Sequence, residues 1–193
     1  MGRWQPGTAD RLAAAALELF AERGFERTTA AEIAAAAGLT ERTFFRYFAD
    51  KKEVLFFGQD AFVESIVADV RAGLSIRSPS SALEAAFIAA AAGFAERGAF
   101  VAERQRVVDA DESLRERELL KMDRLGRAVA AELTAVLPDG DAEVLAEAGV
   151  AAFKVGFTRG HQTPDRLPDT IREAFAALRR VVSDGRTRSL EAP

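Results

Sequence analysis

Between Phe25 and Leu55 the chain reads FERTTAAEIAAAAGLTERTFFRYFADKKEVL. Two short runs with helical spacing, each opened by a threonine, flank the tight turn Ala37-Gly38-Leu39, which is the layout of a helix-turn-helix. Thr29 caps the first run, Thr29–Ala37, and Glu32 three residues on completes a capping box. Gly38 breaks that helix, and Thr40 caps the second, Glu41–Phe48. A helix turns about 100° per residue. Phe44, Phe45 and Phe48 therefore gather towards one side, suited to packing on Leu19, Ile33 and Leu39. Arg42, Thr43, Arg46 and Tyr47 gather towards the other. Like charges four residues apart, as Arg42 and Arg46 are, cost a helix about 0.2–0.5 kcal/mol. An anionic partner removes that cost, and arginine pairs bidentately with guanine O6 and N7. On the residues alone, a solvated charged face is the competing reading.

The remainder is patterned as helix throughout. Thr8–Arg23 carries Leu12, Ala16, Leu19 and Phe20 as one apolar stripe and stops at Gly24. Lys51 opens a long fourth helix that reaches Leu74, after which SIRSPS (75–80) is a loop. Ser81–Arg97, Phe100–Asp109, Leu114–Leu137, Ala142–Thr158 and Thr170–Asp184 follow. The expected fold class is all-α, about nine helices. An N-terminal three-helix domain (1–50) is joined through the fourth helix to a helical effector-binding and dimerisation domain (51–185), with a flexible tail (186–193).

Composition narrows the chemistry. The chain has no cysteine and one histidine, His161, which excludes thiolate sites and a usual zinc site. No metal, no cofactor and no catalytic residue is expected, and a helical enzyme is the weakest reading. The longest uncharged apolar run, Ala85–Ala95, is shorter than the roughly 20 residues a membrane helix needs, and the N-terminus lacks a signal-type apolar stretch. A cytoplasmic protein without a membrane partner is expected. Net charge is −4, and residues 1–57 hold eight basic and eight acidic side chains. Bulk charge therefore makes no case for nucleic acid, and the local motif must carry it.

That motif resembles the DNA-binding domain of TetR-family regulators. The resemblance lies in Gly24-Phe25, Thr28-Thr29, Ile33-Ala34, Ala37-Gly38-Leu39-Thr40, Thr43, Phe44-Phe45-Arg46-Tyr47-Phe48 and Lys51, about 45 residues without a gap. It implies DNA contacts from Thr28, Thr29, Thr40, Glu41, Arg42, Thr43, Phe45, Arg46, Tyr47 and Lys51. Phe45 stands where the family often has tyrosine, and Tyr47 where it commonly has histidine. At Lys51 the expected fourth helix would also offer its N-terminal amides to a phosphate. Arg3 and Arg11 are candidates for an arm on the duplex.

The resemblance further implies a homodimer on a palindromic operator and a small-molecule effector held among the later helices. Phe62, Phe87, Phe94, Phe153 and Phe157 are the candidate pocket residues, although plain core is the more ordinary use of each. Dimerisation is expected through the last two long helices, on Ala146, Gly149, Val150, Phe153, Phe157, Ile171, Ala174, Phe175 and Leu178. The stretch from Glu103 to Leu133 is similar to the C-terminal domain of mycofactocin-system regulators, through Arg104/Arg106 and Leu114-Arg115/Arg117. That likeness implies an acyl-coenzyme A effector, with Arg104 among its ligands. Salt bridges to Asp109, Glu112, Glu116 and Glu118 are the alternative. The expected function is a repressor released by its effector. An activator or an effector-independent DNA-binding protein remain the rivals.

Overall fold

The computed structural model describes residues 7–184. The expected tail and Arg3 lie outside them. Among the described residues the chain is all helix: α1 Thr8–Arg23, α2 Ala30–Ala36, α3 Glu41–Tyr47, α4 Gln59–Leu74, α5 Pro79–Glu96, α6 Gly98–Asp109, α7 Glu112–Leu133, α8 Asp139–Gly160 and α9 Leu167–Asp184. Single 3₁₀ turns at Glu53–Phe56 and Pro164–Arg166 complete the order. No single helix is long and apolar enough to cross a membrane.

Helix boundaries follow local chemistry. The Asp10 carboxylate accepts the Gly7 backbone N–H at 3.0 Å and so closes the first turn of α1. Pro79 sits in the first turn of α5, where its missing N–H costs nothing, and Ser78 accepts the Ser81 N–H. The SIRSPS loop is therefore shorter than expected.

The expected helix from Lys51 to Leu74 is interrupted. Asp50 Oδ1 accepts the backbone N–H groups of Lys52 at 2.7 Å and Glu53 at 3.0 Å, which caps the 3₁₀ turn. Gly58 then takes φ +81°, a left-handed conformation, and α4 starts only at Gln59. The amides expected to face a phosphate at Lys51 are thus already bonded within the turn.

Contacts divide the described residues into two units, 7–60 with 103–119, and 61–102 with 120–184. The first unit extends past the expected boundary at residue 50 because Val54, Leu55 and Phe56 are buried, and their turn packs on α1. Its core includes Leu12, Ala16, Phe20, Phe25, Ile33, Phe44 and Phe48. The Phe20 and Phe25 rings lie 5.1 Å apart, and Phe44 and Phe48 lie 5.5 Å apart.

In the second unit, α4 (Val63, Ile66, Val70), α5 (Leu83, Phe87), α7 (Leu125, Val129, Leu133), α8 and α9 share one core. The α8–α9 pair packs backbone to backbone. A methyl at Gly156 would lie 2.7 Å from Ile171 Cα and 2.8 Å from the Thr170 carbonyl oxygen.

Of the nine residues expected at a dimer face, Phe157 and Leu178 are half-buried and the other seven are spent inside this unit. Ala146, Gly149, Val150, Phe153, Ile171, Ala174 and Phe175 are all buried. The outward stripe of α8 is a different set. Val144, Ala148, Ala151 and Val155 recur at four-three-four spacing, and the two valines are 71% and 45% exposed.

Candidate nucleic-acid interface

The capping box of α2 forms as the sequence requires. Thr29 Oγ1 accepts the Glu32 N–H at 3.2 Å, and Glu32 Oε2 accepts the Thr29 N–H at 2.9 Å and its hydroxyl at 2.8 Å. These bonds hold the Glu32 carboxyl below the usual glutamate value, the Thr29 backbone N–H first. Leu39 N–H donates to the Ala34 carbonyl at 2.8 Å across the turn, and Gly38 supplies φ +67°. Arg11 donates to the Ala37 carbonyl and so locks α1 to the end of α2.

On α3, Thr40 Oγ1 accepts the Thr43 N–H at 3.2 Å, and the two hydroxyls lie 3.0 Å apart. Phe44 and Phe48 anchor the helix at 0% and 5% exposure. Phe45 does not join them, contrary to the expected aromatic side, and is 52% exposed. The expected side was too broad, since Phe44 and Phe48 lie about 40° apart on the helix whereas Phe45 stands about 100° from Phe44. Glu41, Arg42, Phe45, Arg46 and Tyr47 therefore form the outward surface. The Arg46 guanidinium lies over the Tyr47 ring at 5.2 Å. Hydrogen bonding from Thr8, then Arg46, lowers the Tyr47 phenol from its usual value.

Two expected contact residues face inward. Thr28 is 1% exposed, and its hydroxyl donates to the Gly24 carbonyl at 3.0 Å. Lys51 Nζ donates to the carbonyls of Phe25 at 2.8 Å, Thr28 at 3.1 Å and Glu26 at 3.3 Å, and sits 4.3 Å from the Phe25 ring centre. An ammonium has three N–H donors, and all three are used on the α1–α2 connection. The carbonyls left bare between two helices created a demand that no spacing rule announces.

The arginine set of α6 and α7 is likewise engaged internally. Arg104 donates to the Leu55 carbonyl at 2.9 Å and to Glu118 at 2.6 Å. Arg117 forks onto Glu53, and both guanidiniums lie against the Phe56 ring, at 5.0 and 4.7 Å. Arg106 pairs with Glu103, and Arg115 donates to the Asp109 carbonyl at 2.9 Å. Arg104 thus belongs with the 3₁₀ turn of the first unit and not with the phenylalanine set. The ion-pairing alternative describes it. Glu53, the partner of Arg117, and Phe56, which both guanidiniums cover, carried no signal of their own, because 64 residues separate Glu53 from Arg117.

The phenylalanines of the second unit do come together. Phe62 stacks on Phe94 at 5.2 Å and Phe87 on Phe153 at 4.9 Å, while Phe153 and Phe94 both meet Phe157, at 6.0 and 5.9 Å. His161 stacks on Phe157 at 5.5 Å and its Nδ1 lies 3.1 Å from the Phe157 carbonyl, which gives the lone histidine a structural place.

Residues 12–56, from α1 through the 3₁₀ turn, match the tetR family of bacterial regulatory proteins. Over these residues, about a quarter of the chain, the protein is similar to that family. The HTH-type transcriptional regulator TcmR of Streptomyces glaucescens is 40% identical over 80 residues, 42% of this chain and 35% of that protein. A mycofactocin biosynthesis transcriptional regulator, MftR, assigned in Mycobacterium tuberculosis, is 41% identical over 54 residues, 28% of this chain and 27% of that one. The aligned part is thus only about a third of the length of these curated relatives. A solved structure of Thermus thermophilus FadR, a TetR-family repressor in complex with lauroyl-CoA, extends the likeness of fold. At 27% identity and a TM-score of 0.56 it covers 96% of this chain and 97% of that one. The all-helical order of the described residues is that of this solved structure.

Proposed function

We propose that this protein is a TetR-family repressor that binds palindromic double-stranded DNA as a homodimer and is released by a small, largely apolar effector. The observation that carries the DNA reading is α3. A doubly capped turn presents Arg42, Phe45, Arg46 and Tyr47 outward on a helix whose other side is buried through Phe44 and Phe48. A helix of this width enters the major groove, and two guanidiniums on its outer face suit phosphates and guanine edges. Thr29, Thr40, Thr43 and Glu41 border that face. Thr28 and Lys51 act behind it, as its supports.

The homodimer reading rests on the apolar outer stripe of α8, which a two-fold contact would bury. The effector reading rests on the ring ladder of Phe62, Phe94, Phe157, Phe153 and Phe87, an apolar setting matched in kind by the acyl chain that FadR binds. The arginines expected for a coenzyme A head group are committed elsewhere, so an apolar body is the supported part of that ligand.

Selection of duplexes from a random pool by the full-length protein tests the DNA reading directly. Recovery of a symmetric motif whose affinity falls in Arg42→Ala or Arg46→Ala supports it, and failure to enrich any motif overturns it. Small molecules carried through native purification, identified by mass spectrometry, are then titrated against free and DNA-bound protein. A true effector binds the two forms unequally, by the same factor with which it weakens DNA binding.

A further inference from the structure

Phe45 is an apolar side chain held in water by its own helix. It keeps 52% of its surface exposed, while Phe44 beside it is completely covered. Yet the ring is not loose. It meets Phe44 edge to face, with centroids 5.4 Å apart and planes at 83°, so its position is fixed by the core behind it. Helix geometry places it about 60° around α3 from Arg42, on the same outward surface. Among the described residues Arg42 has no hydrogen-bond or ion-pair partner, whereas Arg46 rests on Tyr47.

A tyrosine here would reach a phosphate through its hydroxyl, but phenylalanine has no donor to offer. What a benzyl ring recognises in a major groove is an apolar group, and the base edges there offer one, the C5 methyl of thymine. We propose that Phe45 is a specificity-determining residue that packs on a thymine methyl next to the base taken by Arg42. This rests on the reading of α3 as the DNA-binding helix. The pre-set ring meets the methyl without losing further freedom, and both surfaces leave water on contact.

The experiment compares thymine with uracil, which differ by that methyl alone. Duplexes enriched from a random pool by the full-length protein are resynthesised with deoxyuridine at one thymine at a time. At one position per half-site, uracil should weaken binding of the unaltered protein about four-fold. The same uracil should have no effect on Phe45→Ala. Phe45→Gln, a good helix former without the ring, replaces alanine if that variant melts early. If no uracil weakens binding while the duplexes still bind, the proposal falls and the DNA reading stands. If the uracil effect persists in the Phe45 variants, another side chain reads the methyl and the proposal falls. If the pool yields no bound duplex, the DNA reading itself falls and takes the proposal with it.

Discussion

Arg117 holds Glu53 with a two-pronged ion pair, Nε 2.7 Å from one carboxylate oxygen and Nη2 3.0 Å from the other. The pair joins α7 to the 3₁₀ turn that follows α3, and the hydrogen bond to Glu53 pushes the guanidinium pKa further up. The two side chains keep only 18% and 33% of their surface exposed, so solvent screens the pair less than an ordinary surface bridge. Arg117 also covers the Phe56 ring. Arg117→Ala removes the fork and the ring contact together and should cost about 2 kcal/mol in urea unfolding. Arg117→Lys keeps the charge but not the planar fork, and should recover less than half of that loss. Full stability in Arg117→Ala would show that the pair contributes nothing.

Lys51 offers a clean separation of a structural from a DNA-binding role. Its Nζ serves three carbonyls at the α1–α2 connection, so Lys51→Ala leaves those acceptors unmatched and should lower stability by about 1–3 kcal/mol. The slope of log affinity against log salt should stay as it is in the unaltered protein. A phosphate contact would instead lower that slope by about 0.9 with stability untouched. Fluorescence anisotropy over a salt series, beside urea unfolding, reads both quantities.

These two residues also mark what local pattern reveals and what it does not. The caps at Thr29 and Thr40, the turn at Gly38 and the ends of α1 were legible because each depends on residues within four positions. Lys51 and Arg117 find their partners about 25 and 64 residues away, and nothing in their own neighbourhood states that a bare carbonyl or a carboxylate waits there. The same limit applies to α8. Both its stripes are apolar, and only the packing of α5 and α9 decides that Ala146, Gly149 and Phe153 turn inward while Val144 and Val155 stay out. Phe45 leaves the aromatic side because it is turned about 100° from the buried Phe44, towards the exposed Arg46.

The capping box gives a pH dependence with a definite sign. Glu32 is held below its ordinary value of 4.5 by the bonds from Thr29, so folding favours its ionised form. The stability it contributes is present above that ordinary value and is lost as the pH falls through the lower, folded value. Glu32→Ala should therefore be less stable than the unaltered protein at pH 7. The gap should narrow as the pH drops below 4.5, because acid removes from one protein what the substitution removed from the other. Urea midpoints measured for both from pH 7 down to the acid limit of folding follow the convergence. A gap that stayed constant across that range would mean that the ionised carboxylate is not what caps α2.

The outer stripe of α8 supplies the test of assembly. Val144, Ala148, Ala151 and Val155 lie along one side of the helix, and 71% of Val144 and 45% of Val155 is left in water by the single chain. Large apolar side chains repeated at this spacing form the seam by which helices from two chains pack. The inner stripe is unavailable for that purpose, because Gly149 and Gly156 already lie against Leu83 and Ile171. Val144→Lys and Val155→Lys together would bury unpaired charge at a two-fold seam twice over, since each chain brings both. Dissociation should strengthen by at least about 100-fold, enough to turn a micromolar dimer into monomer in sedimentation experiments. The helical signal should persist, because neither valine is part of the core of its own chain. DNA affinity should fall with dimerisation, as each monomer then reaches only one half-site. A double variant that still sediments as a dimer would place the two-fold contact on another surface.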